Sequence, residues 1–301
     1  MLPSMEKSSE FTVTPWEVSG EIDYDLLIEK FGTKRIDQAL LDRMARYGPI
    51  HPLMRRGVVY SHRDMEWLLD RYDAGEHFYL YTGRGPSGHT HLGHLMPWIF
   101  TKHLQDVFGA QLYFQLTDDE KFLFNENLSL QDTREMAYQN LLDVIALGFD
   151  PKKTKVFLDT EYIHNLYPFA LQVAKKVTFS TAKAVFGFDN STNIGSIFYT
   201  SMQTAPAFLG SALAGKNIPC LIPCGIDQDP HFRITRDIAP SLGYYKPALL
   251  HNKMFPGLTG SDKMSSSQPN GTIYTTDSPK RVRKKINTAF TGGAVSVDEQ
   301  R

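Results

Sequence analysis

The stretch GPSGHTHLGHL, Gly85 to Leu95, decides the fold, because it packs three glycines and three histidines between an apolar run and a helix. Upstream, HFYLYTG from His77 is an aromatic run of strand character that breaks at Gly83. Downstream, LMPWIFTKHLQDVFG spaces its apolar residues at helical period and stops at Gly109. The order is strand, glycine-rich turn, helix.

That alternation continues along the chain. AQLYFQLTDDE is a short apolar run bounded by acids, and SLQDTREMAYQNLLDVIALGFD reads as a long helix closed by Gly148, with Ser129 and Asp132 at near capping-box spacing. TKVFLDT is a third strand, and IPCLIPCGIDQDP and PALLHNKMFPG are two more short apolar runs around the helix-like HFRITRDIAPSLG. SPKRVRKKINTAF places Ser278 as N-cap and Pro279 at the first helical position. Strands alternating with helices predict an α/β protein with a parallel sheet covered on both faces. Before it, YDLLIEKFG, DQALLDRMARYG and SHRDMEWLLDRYDAG, the last with Ser61 as N-cap, read as a small helical layer. The expected divisions are a polar segment over 1–20, a helical extension over 21–76, the α/β domain over 77–290 and a short terminal region over 291–301.

Composition narrows the function. With 301 residues, 42% of them hydrophobic, the chain can bury a large core. A formal charge of −1 supplies no global positive field for nucleic acid, so an RNA partner must be met by a local patch. Cys220 and Cys224 are too few for a disulfide framework and read best as buried strand-end thiols in a reducing compartment. The first residues lack the apolar core of a signal peptide and no later run reaches the roughly 20 residues needed to cross a bilayer, so a cytoplasmic location is expected.

His89, His91 and His94 admit two readings. Imidazoles from one segment can hold zinc, but a zinc site usually adds cysteine or carboxylate, and the nearest acids are Asp118 to Glu120. In the alternative, Gly83, Gly85 and Gly88 let backbone amides approach a phosphate, and the helix start adds the positive end of its dipole. His91 and His94 then share a face as donors, and Gly93 leaves room for a flat base against the backbone. Histidines beside such a turn also occur as satisfied surface residues, so a second motif must decide. GSDKMSSSQPNG, Gly260 to Gly271, is a glycine and serine loop that carries Lys263, the cation a phosphate site wants and a zinc site does not.

Together HLGH at His91 to His94 and KMSSS at Lys263 to Ser267 resemble the two signatures of the class I aminoacyl-tRNA synthetases. FYLYTGRGPS, TDDEKFL and CGIDQDPHFR look like the tryptophanyl branch of eukaryotic and archaeal type, over a resemblance running from about Trp16 to Gly293. The resemblance implies a Rossmann-like doubly wound sheet, ATP and Mg2+, and the substrates L-tryptophan and tRNA(Trp). It assigns His91, His94 and Lys263 to catalysis, and Arg84, Gly85, Gly93, Lys121, Met264 and Ser265 to the nucleotide. Tyr81 and Gln115 would face the indole nitrogen, Glu120 and Gln203 the substrate ammonium, and Gln228 its carboxylate side. Each has a plainer reading, such as a core aromatic for Tyr81 or a solvated loop acid for Glu120.

Three departures refine the resemblance. Where tyrosyl enzymes carry an aspartate for the substrate hydroxyl, SMQTAPAF has Pro206, which turns the choice to tryptophan. Ser266 stands where many class I enzymes place a second lysine, leaving charge work to Lys263, Arg84 and Lys121. The helical anticodon-reading domain that follows this loop in the family is expected to be largely missing, so that charging of tRNA would be poor. TPWEV near Trp16 matches a segment that covers the ATP site, and KRVRKK, Lys280 to Lys285, reads as a solvated helix face rather than an RNA contact. A two-fold homodimer through 161–213 is expected from the resemblance. The alternatives are a tyrosine enzyme, a small-molecule nucleotidylyltransferase and an inactive synthetase-derived binding protein.

Overall fold

The computed structural model describes residues 22–260, 263–266 and 268–291, with the backbone of 12–13 and 18–19. Trp16 of the TPWEV segment, Ser267, and almost all of 1–20 and 291–301 lie outside the described residues. Strands β1 (Thr12–Val13) and β2 (Val18–Ser19) pair antiparallel by themselves.

The main sheet has seven strands: β3 (Lys34–Arg35), β4 (Val59–Arg63), β5 (Tyr79–Arg84), β6 (Gln111–Leu116), β7 (Thr154–Leu158), β8 (Cys220–Gly225) and β9 (Ala248–Asn252). Their order is β3-β4-β9-β8-β5-β6-β7. From β9 to β7 all neighbours are parallel, while β4 runs antiparallel to β9 and β3 to β4. The chain starts the parallel part at β5, steps outward to β6 and β7, then returns to β8 on the other side. Chain order therefore reverses between β5 and β8, and a crevice opens there at the carboxyl ends of the strands.

The strands are apolar on both faces, as a doubly covered parallel sheet requires. Leu80, Leu112, Phe114 and Leu116 pack with Trp98, Phe100 and Leu104 of the Leu92–Phe108 helix and with Met65, Leu68 and Leu69. Tyr79, Tyr81 and Tyr113 turn to the other face, against Leu166, Tyr199, Met202 and Phe232. The expected α/β class and Rossmann-like parallel sheet are what the chain forms. Cys220 and Cys224 are free and buried in β8.

The stretch 21–76 departs from an all-helical layer. Helices form at Tyr24–Phe31, Gln38–Met44 and Met65–Asp73, but β3 and β4 lie between them and join the sheet. Ser61 is therefore not an N-cap: it sits inside β4, with its Oγ 3.0 Å from His251 Nδ1 on β9. The helix is entered through Asp64 in the left-handed region, φ 54°. VVY preceding Ser61 is β-branched and aromatic, and antiparallel pairing with the buried β9 outweighs the helical pattern that begins just after it.

Candidate active site

Every residue expected at the site lines one cavity of about 520 Å³ at the carboxyl ends of β5, β6 and β8. A larger cavity of about 820 Å³ lies at the amino ends of the same strands, and neither signature reaches it. Close approach shapes the crevice. A Cβ on Gly83 would fall 2.8 Å from the Gln115 carbonyl oxygen, and one on Gly85 would fall 2.9 Å from Glu120 Oε2.

The turn after β5 delivers His91 as N-cap of the Leu92–Phe108 helix. The His91 N–H donates to His94 Nδ1 at 3.4 Å, and the two rings stack with centroids 3.6 Å apart. Burial, then the cations of Arg84 and Lys263, hold His91 down to about 4, and burial and the same cations push His94 lower still. Both imidazoles are therefore neutral near pH 7 and act as N–H donors rather than as charges. Buried His91 Nδ1 has no hydrogen-bond partner among the described residues. The His91 ring also lies over Gly93, where a Cβ would come within 3.0 Å of it. His89 turns away, its ring 5.7 Å from that of Tyr274, so the three histidines do not converge as zinc ligands.

Arg84 sits deeper than its place beside a glycine turn suggests. It is buried, donates from Nη2 to Ser87 Oγ at 2.6 Å and stacks 5.5 Å above Trp98. Its Nε and Nη1 have no partner among the described residues, and burial pulls it down to about 10. A buried cation with unmet donors, lining the same cavity as the N-terminus of the Leu92–Phe108 helix, suits an anion. Half-buried Lys121 lines the same space from the Asp118–Leu123 helix.

At the closed end, Tyr81 and Gln115 are both buried, and the Tyr81 hydroxyl donates to Gln115 Oε1 at 2.5 Å. Gln115 Nε2 donates to both oxygens of Asp159, at 2.9 and 2.7 Å. Tyr199 donates to Gln203 Oε1 at 2.5 Å and lies beside Glu120. Glu120 is on a helix rather than in a loop, accepts from Thr117 Oγ1, and is raised by burial. Gln228 lies next to Asp227, whose carboxyl is raised by burial and lowered by Lys263. Sequence reading missed Asp159, Tyr199 and Asp227. The only signal for Asp159 is a polar residue just past the end of an apolar parallel strand.

The Lys263 loop is tethered from within. Met264 is buried, with its N–H 2.6 Å from the Phe255 carbonyl. The Ser265 carbonyl accepts from Thr272 Oγ1 at 2.6 Å, and the Ser266 carbonyl from the Tyr274 hydroxyl at 3.0 Å. Lys285, read as part of a solvated run, is buried instead and donates to the Thr272 carbonyl and to Asp277, both at 2.6 Å. Burial raises Asp277, and bonds from Lys285 and the Tyr274 N–H more than reverse this. Lys285→Met is expected to cost about 2 kcal/mol, because the Thr272 carbonyl and Asp277 lose a buried cation and Asp277 keeps only the exposed Arg281 and the Tyr274 N–H. Adding Asp277→Leu should recover most of that in a denaturant titration; an undiminished loss in the double variant would place the effect in packing.

Residues 73–300 match the family model for tRNA synthetases class I (W and Y). The chain is 53% identical over 293 residues to the tryptophan–tRNA ligase of Pyrobaculum calidifontis, covering 97% of this chain and 78% of that one. It superposes on a product-bound parasite tRNA synthetase with a TM-score of 0.89 and 44% identity, covering 93% of this chain and 78% of that one. The tryptophanyl-tRNA synthetase of Plasmodium falciparum gives a TM-score of 0.86 at 43% identity, over 93% of this chain and 77% of that one.

Proposed function

The chain belongs to the class I tRNA synthetases of the tryptophan and tyrosine group, and we propose from this premise that it is a tryptophan–tRNA ligase. It joins L-tryptophan to ATP to give tryptophanyl-adenylate and pyrophosphate, then passes the acyl group to tRNA(Trp).

The observation that carries this reading is the Tyr81–Gln115 pair. Once the Tyr81 hydroxyl has donated to Gln115, what the pair has left for the cavity are oxygen lone pairs. An indole N–H is a donor only and suits them, whereas a phenol that donated here would bring oxygen lone pairs for which this pair, its own donors already engaged, has no partner. The place of the tyrosine-reading aspartate is held by Pro206, the first residue of the Pro206–Ala214 helix.

The substrate carboxylate is the nucleophile. Its oxygen bonds the α-phosphorus as the bond to the pyrophosphate oxygen breaks, so the protein supplies positioning and charge. Glu120 and Gln203 hold the ammonium, whose charge offsets the burial that raises Glu120. Gln228 takes the carboxylate side, and Arg84, His91, His94, Lys121 and Lys263 face the phosphates, with Gly85, Gly93, Met264 and Ser265 shaping the nucleotide's place. Among the described residues no three His, Cys, Asp or Glu side chains gather as metal ligands. Mg2+ would enter on the ATP phosphates and neutralise charge there.

The same reading expects a catalytic unit over 77–290, to whose sheet the extension 21–76 adds β3 and β4, and a cytoplasmic location. No helix among the described residues is long and apolar enough to cross a membrane. A homodimer is supported by Ile163, Tyr167 and Leu171, exposed at i, i+4 and i+8 of the Ile163–Ala174 helix. ATP–pyrophosphate exchange with tryptophan, tyrosine or no amino acid tests the function: tryptophan alone should support it. Exchange driven by tyrosine, or none at all, would sink the reading.

A further inference from the structure

Gln115 presents a chemical ambiguity, since its amide has an accepting and a donating end of nearly equal size. Only one orientation lets the site accept from an indole. We propose that Asp159 is a positioning residue that fixes this orientation, so that discrimination for a hydrogen-bond-donating substrate is set by a residue outside the cavity. The inference deepens the tryptophan reading and rests on it.

The geometry is a relay of three side chains from three strands or their ends. Asp159 follows the last residue of β7 and has no exposed surface. Its N–H donates to the Leu116 carbonyl at 3.1 Å, which fixes its backbone to the end of β6. Its two oxygens take Gln115 Nε2, and Gln115 Oε1, turned the opposite way, takes the Tyr81 hydroxyl. Were the amide reversed, Oε1 would face the Asp159 oxygens, and Nε2 would point a donor toward Tyr81 and the cavity. Two acceptors in buried contact lose both bonds and leave desolvated oxygens behind.

Asp159 is itself held from the other side. Its carboxyl bonds that of Asp119 on the Asp118–Leu123 helix, and burial raises both, Asp119 to about 6. Asp119 thus packs against Asp159 from the helix side, while both Asp159 oxygens stay within hydrogen-bond reach of Gln115 Nε2. Neighbouring Asp118 accepts from the Thr160 N–H at 3.1 Å and from its hydroxyl, which locks the turn after β7. A buried carboxyl that accepts from an amide in contact with the site is better suited to orientation than to bulk, since an apolar residue would fill the same space.

The test compares exchange driven by tryptophan with exchange driven by 3-(benzothiophen-3-yl)alanine, which keeps the bicyclic shape but has no N–H. Asp159→Asn is nearly isosteric, yet its NH2 can donate to Gln115 Oε1 and release the amide to turn. The ratio of kcat/KM for the two amino acids is expected to fall at least about tenfold in this variant, with the KM for ATP unchanged. Combining Asp159→Asn with Gln115→Glu should restore the ratio, because the introduced carboxylate accepts at both ends and the introduced amide donates to it. Equal loss for both amino acids, an unchanged ratio, or a double variant no better than the single one would overturn the proposal. A wild-type protein that does not exchange with tryptophan is a separate result, which overturns the functional reading and the inference with it.

Discussion

Lys263→Ala is expected to slow ATP–pyrophosphate exchange by about 10²- to 10³-fold while tryptophan affinity stays nearly unchanged. The split follows from place. Lys263 is exposed on the loop opposite the His91–His94 turn, and its charge is felt by His91, His94 and Asp227, all at the phosphate side of the cavity. Tyr81, Gln115 and Glu120 instead make their bonds at the amino-acid side, to Gln115, Asp159 and Thr117 respectively. Both histidines are neutral in the free protein, so near the reacting phosphorus they cannot replace the lost cation. Tryptophan binding measured by fluorescence or calorimetry, beside exchange rates at saturating ATP, checks the prediction. A parallel loss of tryptophan affinity would mean that Lys263 orders the whole site rather than the leaving group.

The alternating sheet was legible because its signals are local. Aromatic and β-branched runs, helical periods, and glycines at Gly109 and Gly148 mark elements without reference to anything distant. The two signatures, a helix start and a loop, are short segments whose residue types their chemistry requires, and they line one cavity. What stayed hidden depends on partners far along the chain. Asp159 gains its place from Gln115, 44 residues earlier, and β4 is a strand because β9 lies beside it. The run KRVRKK looks uniformly solvated, yet one turn of the helix points Lys285 inward to Asp277 and Thr272. Arg84 is the sharpest case, because nothing in GRGPSG states that its guanidinium is buried.

Arg84→Met should make the unliganded protein more stable and nearly inactive. Arg84 as a residue is 6% exposed, and its Nε and Nη1 are unmet among the described residues. Its fall from 12.5 to about 10 corresponds to about 3 kcal/mol by which the fold disfavours the charged form. For a base whose pKa is depressed on folding, that penalty is in force at every pH below about 10 and fades only as pH rises beyond it. Methionine keeps an unbranched apolar contact with Trp98 and removes the unmet donors, so a gain of about 1–3 kcal/mol is expected. Exchange should fall on the order of 10²-fold, if those donors serve an ATP phosphate as proposed. Two measurements decide it together: a denaturant midpoint without ligand, and the rise in Tm on adding a non-hydrolysable ATP analogue. The wild-type protein should gain stability with analogue concentration and the variant should gain much less. A lower midpoint with exchange retained would instead make Arg84 a structural residue, and the phosphate reading of the turn after β5 would rest on His91, His94 and Lys263 alone.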